Sequence, residues 1–319
     1  MAAAPEKLLL AAPRGYCAGV DRAVQTVERA LELYGPPVYV RKEIVHNKHV
    51  VEQHRERGAI FVDQETEVPE GETVVFSAHG VAPSVHSNAR ARSLNTIDAT
   101  CPLVTKVHVE ARKFAGDGYT IVLVGHEGHE EVEGTTGEAP AHIVLVQTEE
   151  DVEQLEVADP DRVAFITQTT LSVDETTGII RKLHEKFPNM VGPRTDDICY
   201  ATQNRQDAVK QLAPRCDLVL VIGSRNSSNS NRLVEVARQH GTRSYLIDNE
   251  HEVKDEWLEG VETLGITSGA SAPEELVQRL VDFFRERGAA EVAELEVSKE
   301  DVRFMMPKEI RKPASAAAG

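Results

Sequence analysis

The sequence predicts an α/β protein of three similar lobes, with mainly parallel sheets arranged around a pseudo-threefold axis. Three observations carry that prediction. Apolar, strand-like runs alternate with helical patterns along the chain. A cysteine stands at the end of three of those runs, and the same succession of segments follows each of these cysteines.

The first apolar run is "KLLLAA", and the turn "PRGYCAGV" follows it directly. Gly15 and Gly19 allow the backbone to bend sharply there. "DRAVQTVERALELYG" then has helical apolar spacing (Val24, Val27, Leu31) and stops at Gly35. Cys17 therefore lies where a strand gives way to a helix, which is where open α/β sheets bind ligands; a packed, inert thiol is the alternative reading. Next come the runs "PVYVRKEIVHN", "AIFVD" and "TVVFSAHG", a helix in "APSVHSNARARS", and the run "NTIDATC" ending at Cys101. A second round starts with the helical "PLVTKVHVEARKFAGDG". It continues through "YTIVLVGHEGH", "HIVLVQ", "RVAFITQTT" and "SVDETTGIIRKLHEKF", and ends at Cys199 in "MVGPRTDDIC". The third round runs through "YATQNRQDAVKQLAPR", "DLVLVIGSRNSSNS", "SYLID", "ETLGITSGAS" and "APEELVQRLVDFFRERG". No cysteine-ending strand closes it, and the N-terminal run fills that slot, completing a cycle. The spacings, 101 − 17 = 84 and 199 − 101 = 98 residues, are small-domain lengths. The lobes are read as 18–101, 102–198, and 6–17 together with 199–288. Residues 289–319 are a C-terminal extension whose "KPASAAAG" tail reads as a disordered end. Cys216 falls outside the scheme, as a packed thiol.

Lys and Arg number 35 against 52 Asp and Glu, a net charge of −17. That argues against nucleic acid and anionic membrane as main partners, while leaving room for a small anion in a locally positive site. No apolar run approaches the roughly 20 residues of a membrane span. "MAAAPEK" has neither a signal-peptide core nor an Arg-rich transit pattern. Four scattered cysteines without CxxC pairs do not resemble a secreted disulfide framework. A cytoplasmic protein with reduced thiols is expected.

Structural zinc usually takes four ligands, so three thiols from three lobes suit an iron–sulfur cluster with one iron lacking a protein ligand. Three buried thiols that never meet are the alternative. His46, His79 and His129 each lie just past an apolar run, where an imidazole can donate to phosphate oxygens or simply cap a helix. Ser227, Ser228 and Asn229 precede the helix "RLVEVARQHG", and Ser271 stands two residues before Pro273. Helix N-termini with such residues bind anions, so the two loops with the histidines point to a phosphate or diphosphate pocket. Glu131 and Glu133 are candidates for proton transfer, and Thr169 and Thr170 for contact with a substrate alcohol or for helix capping. "HSNARARS", Arg22 and Lys106 read as helix-surface charge.

"PRGYCAGVDRA", "EIVHN", "FSAHGV", "DATCPLVTKVH", "EVEGT", "TQTTLS", "DDICYAT", "GSRNSSNSNRL" and "TSGASAP" together resemble the 4-hydroxy-3-methylbut-2-enyl diphosphate reductase (LytB/IspH) family. The resemblance runs from about Leu8 to Pro307. It implies a three-lobed fold with a [4Fe-4S] cluster at its centre, ligated by Cys17, Cys101 and Cys199. It further implies that His46, His79, His129, Ser227, Ser228, Asn229 and Ser271 hold the substrate's diphosphate. By the same resemblance, Thr169 contacts the substrate hydroxyl and Glu131 donates the proton. The implied reaction is reductive dehydroxylation of an allylic diphosphate to isopentenyl and dimethylallyl diphosphates, the last step of the non-mevalonate isoprenoid pathway. Ferredoxin or flavodoxin is the implied electron donor. The chain departs from the family in having Glu130 where proline is usual and Tyr16 where phenylalanine is common. Alignment on "EVEG" selects Glu131 as the acid and leaves Glu130 facing solvent. An iron–sulfur hydro-lyase and a zinc-stabilised phosphate-binding module are the competing readings.

Overall fold

The computed structural model describes residues 5–311, so the "KPASAAAG" tail lies outside the described residues. The first round begins with β1 (Lys7–Ala12) and α1 (Ala18–Tyr34). It continues with β2 (Val38–Arg41), α2 (Lys48–Glu56), β3 (Ala59–Val62), β4 (Thr73–Phe76), α3 (Pro83–Ala91) and β5 (Asn95–Asp98). Four of these strands form a sheet in the order β3-β2-β4-β5, every pair parallel.

The second round is α4 (Pro102–Gly116), β6 (Thr120–Val124), α5 (Glu130–Glu138), β7 (Ile143–Val146), α6 (Glu149–Gln154), β8 (Val163–Thr167) and α7 (Val173–Lys186). Its sheet, β7-β6-β8, is again wholly parallel. The run before Cys199 does not become a full strand. It contributes a single bridge, Val191 to Ala164, because Gly192 and Pro193 follow at once and proline has no N–H for the ladder.

The third round comprises α8 (Tyr200–Leu212), β9 (Leu218–Ile222), α9 (Ser228–Gln239), β10 (Arg243–Ile247), β11 (Thr263–Ser268), α10 (Glu274–Glu286) and β12 (Glu291–Glu296). The sheet order is β10-β9-β11-β1-β12, all parallel. The N-terminal strand fills the expected slot: β1 pairs β11 with Leu8 opposite Leu264. An edge strand is added by β12, whose alternating "EVAELE" suits that position, with its outward residues in solvent. Three parallel-sheet lobes thus make up the fold.

By their internal packing the residues divide into two compact units, one of 5–20, 46–52 and 200–303, the other of 21–45, 53–199 and 304–311. In the first unit the five-stranded sheet is apolar on both faces, which is why its strands read as unbroken apolar runs. Leu8, Leu10, Leu220 and Ile266 pack with Leu276, Leu280 and Phe284 of α10. Their strand neighbours Leu9, Ala11, Val219 and Val221 pack with Val209 and Leu212 of α8 and Leu233 and Ala237 of α9. The second unit repeats this around β6 and β8. Val122 and Val163 face Ile179 and Leu183 of α7, and Ile121 and Ile166 face Val107, Ala111 and Phe114 of α4. Rigid sandwiches of this kind hold the loops at the strand C-termini, where the predicted site residues lie.

Candidate active site

Cys17, Cys101 and Cys199 occupy equivalent local positions. Each stands immediately before a helix, α1, α4 or α8, and each is half-buried and in no disulfide. Each backbone N–H donates to a carbonyl in the loop after the neighbouring strand: Cys17 to Ala270 at 3.3 Å, Cys101 to Ala78 at 2.9 Å, Cys199 to Thr169 at 3.0 Å. The Cys17 turn depends on Gly15, whose φ of +73° suits glycine and whose N–H donates to Ser268 Oγ at 2.8 Å. Cys17 Sγ itself accepts from Val20 N at 3.5 Å. Cys216 differs in kind: burial, with Asp217 beside it, pushes its thiol up to about 12, so it stays protonated and inert.

The first unit gathers the two serine loops. Ser227 caps α9, its hydroxyl accepting from Ser230 N at 3.3 Å and Ser230 Oγ at 3.0 Å. Ser271 Oγ lies 3.4 Å from Ser227 Oγ and donates to the His46 carbonyl at 2.9 Å. Asn226 Nδ2 is 3.3 Å from His46 Nδ1. Asn229 Oδ1 accepts from Ala270 N at 2.9 Å, joining this cluster to the loop that holds Cys17. Ser227, Asn229 and Ser271 are buried, and Ser228 opens α9. Two glycines make the space: a Cβ on Gly223 or Gly269 would come within 2.2 or 2.0 Å of Ser230 Oγ. The sequence reading missed Ser230, Ser268 and Asn226, although all three lie inside the loops it singled out.

The second unit gathers the acid and its neighbours. Glu131 is buried at 2% exposure. Its Oε1 accepts from Thr169 N at 2.6 Å and its Oε2 from Thr169 Oγ1 at 3.0 Å. His129 caps α5, its Nδ1 accepting from Glu131 N at 3.2 Å. That fixes the neutral tautomer, with the proton on Nε2. The His79 and His129 rings meet edge to face at 5.9 Å. Helix α5 comes this close because Gly134 lies over Gly80, whose carbonyl would be 3.2 Å from an added Cβ. Thr170 Oγ1 accepts from Gln168 Nε2 at 2.8 Å, while Glu133 points to solvent.

Two expectations need correction. Glu130 is not a solvent group: its Oε2 accepts from His79 Nδ1 at 3.1 Å and Ser77 Oγ at 3.4 Å. Both neighbouring carboxylates are thus engaged, Glu130 with a histidine and Glu131 with a threonine. Nor are Arg22 and Lys106 surface charges. Arg22 donates to the carbonyls of Ala99 and Thr100, and Lys106 to those of Thr195 and Asp196 and to Asp197 Oδ1.

Beside Lys106, burial and then the Asp197 charge push the Glu110 carboxyl up to about 7, opposed by Lys106 and Lys113. Because the folded-state value lies above the unfolded one, the folded protein holds the extra proton between the ordinary carboxylate range and about pH 7. Stability therefore falls as pH rises through that window. Glu110→Gln removes the loss. Thermal melts are expected to show the variant more stable than the native chain at pH 8, by on the order of 1–2 kcal/mol, and the two alike at pH 4.

Parallel-sheet lobes that carry thiols at helix starts, imidazoles and a buried carboxylate in their loops define the class, an α/β enzyme. The LytB protein family model matches residues 8–285. A 4-hydroxy-3-methylbut-2-enyl diphosphate reductase of Nocardia farcinica is 61% identical over 96% of this chain and 91% of its own length. One from Acidothermus cellulolyticus is 60% identical over 97% and 92%. The solved E-1-hydroxy-2-methyl-but-2-enyl-4-diphosphate reductase of Plasmodium falciparum superposes with a TM-score of 0.93 at 37% identity, covering 96% of this chain and 97% of that one. The chain belongs to the LytB family, and it is an oxidoreductase. Among the described residues no helix is long and apolar enough to cross a membrane.

Proposed function

We propose that this protein reductively dehydroxylates (E)-4-hydroxy-3-methylbut-2-enyl diphosphate to isopentenyl and dimethylallyl diphosphates, the last step of the non-mevalonate isoprenoid pathway, in the cytoplasm. The observation that carries the proposal is the buried Glu131–Thr169 pair, two hydrogen bonds at 2.6 and 3.0 Å beside a histidine cap. Membership of a family whose relatives are reductases named for that substrate supports it.

Cys17, Cys101 and Cys199 are the proposed ligands of one [4Fe-4S] cluster. Their support is the local device repeated three times, a half-buried cysteine in no disulfide at a helix start with its N–H anchored to a neighbouring loop. Soft thiolates in that number suit iron–sulfur chemistry. When bound, the cluster supplies single-electron transfer and a Lewis-acidic iron. The electrons come from a ferredoxin or flavodoxin.

The chain's own residues do the rest. His46, Ser227, Ser228, Asn229 and Ser271, with His79 and His129, bind the diphosphate through N–H and O–H donors. His129 donates from Nε2, because its Nδ1 is occupied by Glu131 N. Thr169 Oγ1 turns its own proton to the substrate hydroxyl, and Glu131, once protonated at Oε2, donates to Thr169 Oγ1 across the 3.0 Å contact, which reverses its direction. Two electrons and two protons replace the hydroxyl by hydrogen and release water. Placing the second proton at either end of the allylic unit gives the two products.

The test is anaerobic purification with iron and sulfide quantification, a visible spectrum, and turnover with an artificial one-electron donor. Iron and sulfide near four each per chain, with reductant-dependent turnover, are expected for one such cluster, to within about one atom. Zinc without sulfide would support the binding module, and turnover without reductant the hydro-lyase. For the anion loops, the double substitution Ser227→Ala and Ser228→Ala is expected to weaken substrate and pyrophosphate binding at least about tenfold, with an unchanged visible spectrum. Isothermal titration with pyrophosphate measures this, and unaltered affinity would remove the loops from the site.

A further inference from the structure

Three cations recur five or six residues after the three cysteines, and each holds the loop ahead of the next cysteine in the cycle 17, 101, 199 and back to 17. Arg22 stands five residues after Cys17 (22 − 17), on α1. Its Nη1 donates to the carbonyls of Ala99 at 2.9 Å and Thr100 at 3.0 Å, and Nη2 approaches that of Asp98 at 3.4 Å. Those are the residues immediately before Cys101. Lys106 stands five residues after Cys101 (106 − 101), on α4. Its Nζ donates to the carbonyls of Thr195 at 2.6 Å and Asp196 at 3.0 Å, and to Asp197 Oδ1 at 2.9 Å, in the loop before Cys199. The other oxygen of Asp197 accepts from Thr167 N at 2.9 Å, tying that loop to the end of β8. Arg205 stands six residues after Cys199 (205 − 199), on α8, and is wholly buried. Its Nη2 donates to the Gly15 carbonyl at 2.7 Å, two residues before Cys17, and Glu300 Oε1 accepts from its Nη1 at 2.9 Å.

We propose that Arg22, Lys106 and Arg205 are positioning residues that fix the cysteine loops in a cycle, each helix that starts at one cysteine clamping the backbone that presents the next. The inference rests on the reading of Cys17, Cys101 and Cys199 as ligands. The carbonyls in the loops ahead of the cysteines lie outside the strand ladders and need donors from elsewhere. A cation supplies several from one side chain, and charge-assisted bonds are about twice as strong as neutral ones. The clamps bear on backbone carbonyls and, for Lys106, also on the Asp197 carboxylate, so they hold the backbone behind the thiols and not the thiols themselves. Because the order runs 17 to 101 to 199 and back to 17, every cysteine loop is both followed by one clamp and held by another.

Lys106→Met and Arg22→Met test the proposal, since neither side chain is as deeply buried as that of Arg205. The measurement is the rate at which anaerobically purified holoprotein loses iron to a ferrous chelator, followed with the decay of its visible absorption. Each substitution is expected to speed release by at least about tenfold. Lys106→Arg, which can still donate to the same carbonyls, is expected to restore slow release. Release at the native rate in both methionine variants would overturn the proposal. So would an equal fall in melting temperature for apoprotein and holoprotein, which would make the cations braces of the fold alone. Cys199→Ser serves as the control: if it keeps native iron, the ligand reading fails, whereas if it loses iron while Lys106→Met releases normally, only the clamps fail.

Discussion

Serine in place of Cys17, Cys101 or Cys199 is expected to abolish turnover and to remove most of the iron from anaerobically purified protein. A serine hydroxyl at neutral pH is neither deprotonated nor soft, so it replaces a thiolate ligand poorly. The local fold gives no reason for the backbone to fail, because the anchoring bonds from these residues are made by their N–H groups, which serine keeps. Loss of iron with retained circular dichroism is therefore the expected signature. Cys216→Ser should keep iron and turnover alike, since that thiol is pushed up to about 12 by burial and packs against the five-stranded sheet. An essential Cys216, or one dispensable member of the other three, would break the threefold equivalence on which the ligand assignment stands.

Glu131→Gln is expected to lower kcat by about 10²–10⁴-fold, the usual worth of a positioned general acid. The substitution is sterically mild. The amide oxygen of the introduced side chain can keep the bond from Thr169 N, while its NH₂ group turns toward Thr169 Oγ1, which then changes from donor to acceptor. Substrate and iron binding should survive, and the transferable proton is gone. Glu130→Gln acts elsewhere, because Glu130 orients His79. A several-fold rise in KM with kcat nearly kept is its expected effect, measured with an artificial electron donor so that docking of a protein donor plays no part. If Glu130→Gln instead loses kcat and Glu131→Gln does not, the two carboxylates exchange roles.

The repeating strand–helix order was readable because fully covered parallel strands, such as "LVLVI" in β9, carry no polar residue to confuse the pattern. The closing of the cycle by β1 followed from the same regularity, as an empty slot and an unassigned run of matching character. What escaped notice was decided by orientation. The alignment on "EVEG" separates Glu131 from Glu130, but nothing in the sequence shows that Glu130, one helical step away, turns toward His79 and not toward solvent. Arg22 and Lys106 carry the same signature whether they face water or a carbonyl, since an amphipathic pattern records polarity and not the partner. The missing strand before Cys199 had a visible cause, Gly192 and Pro193, that the apolar character of its flanks outweighed.

The pairing of β1 with β11 also sets an order on synthesis. Lys7 leaves the ribosome early, and its partner Thr263 follows 256 residues later (263 − 7). At about 5–20 residues per second that is a wait of roughly 13–50 s. During it the β2–β5 and β6–β8 sheets have all their strands available, whereas β1 is a bare hydrophobic segment with no neighbour to pair. The Cys17 turn, hung between β1 and α1, consequently matures last although it is made first. Nascent chains stalled before β11 should present Cys101 and Cys199 in folded surroundings and Cys17 in an unfolded one. All three of the proposed ligand cysteines thus stand in folded surroundings only once nearly the whole chain has been translated.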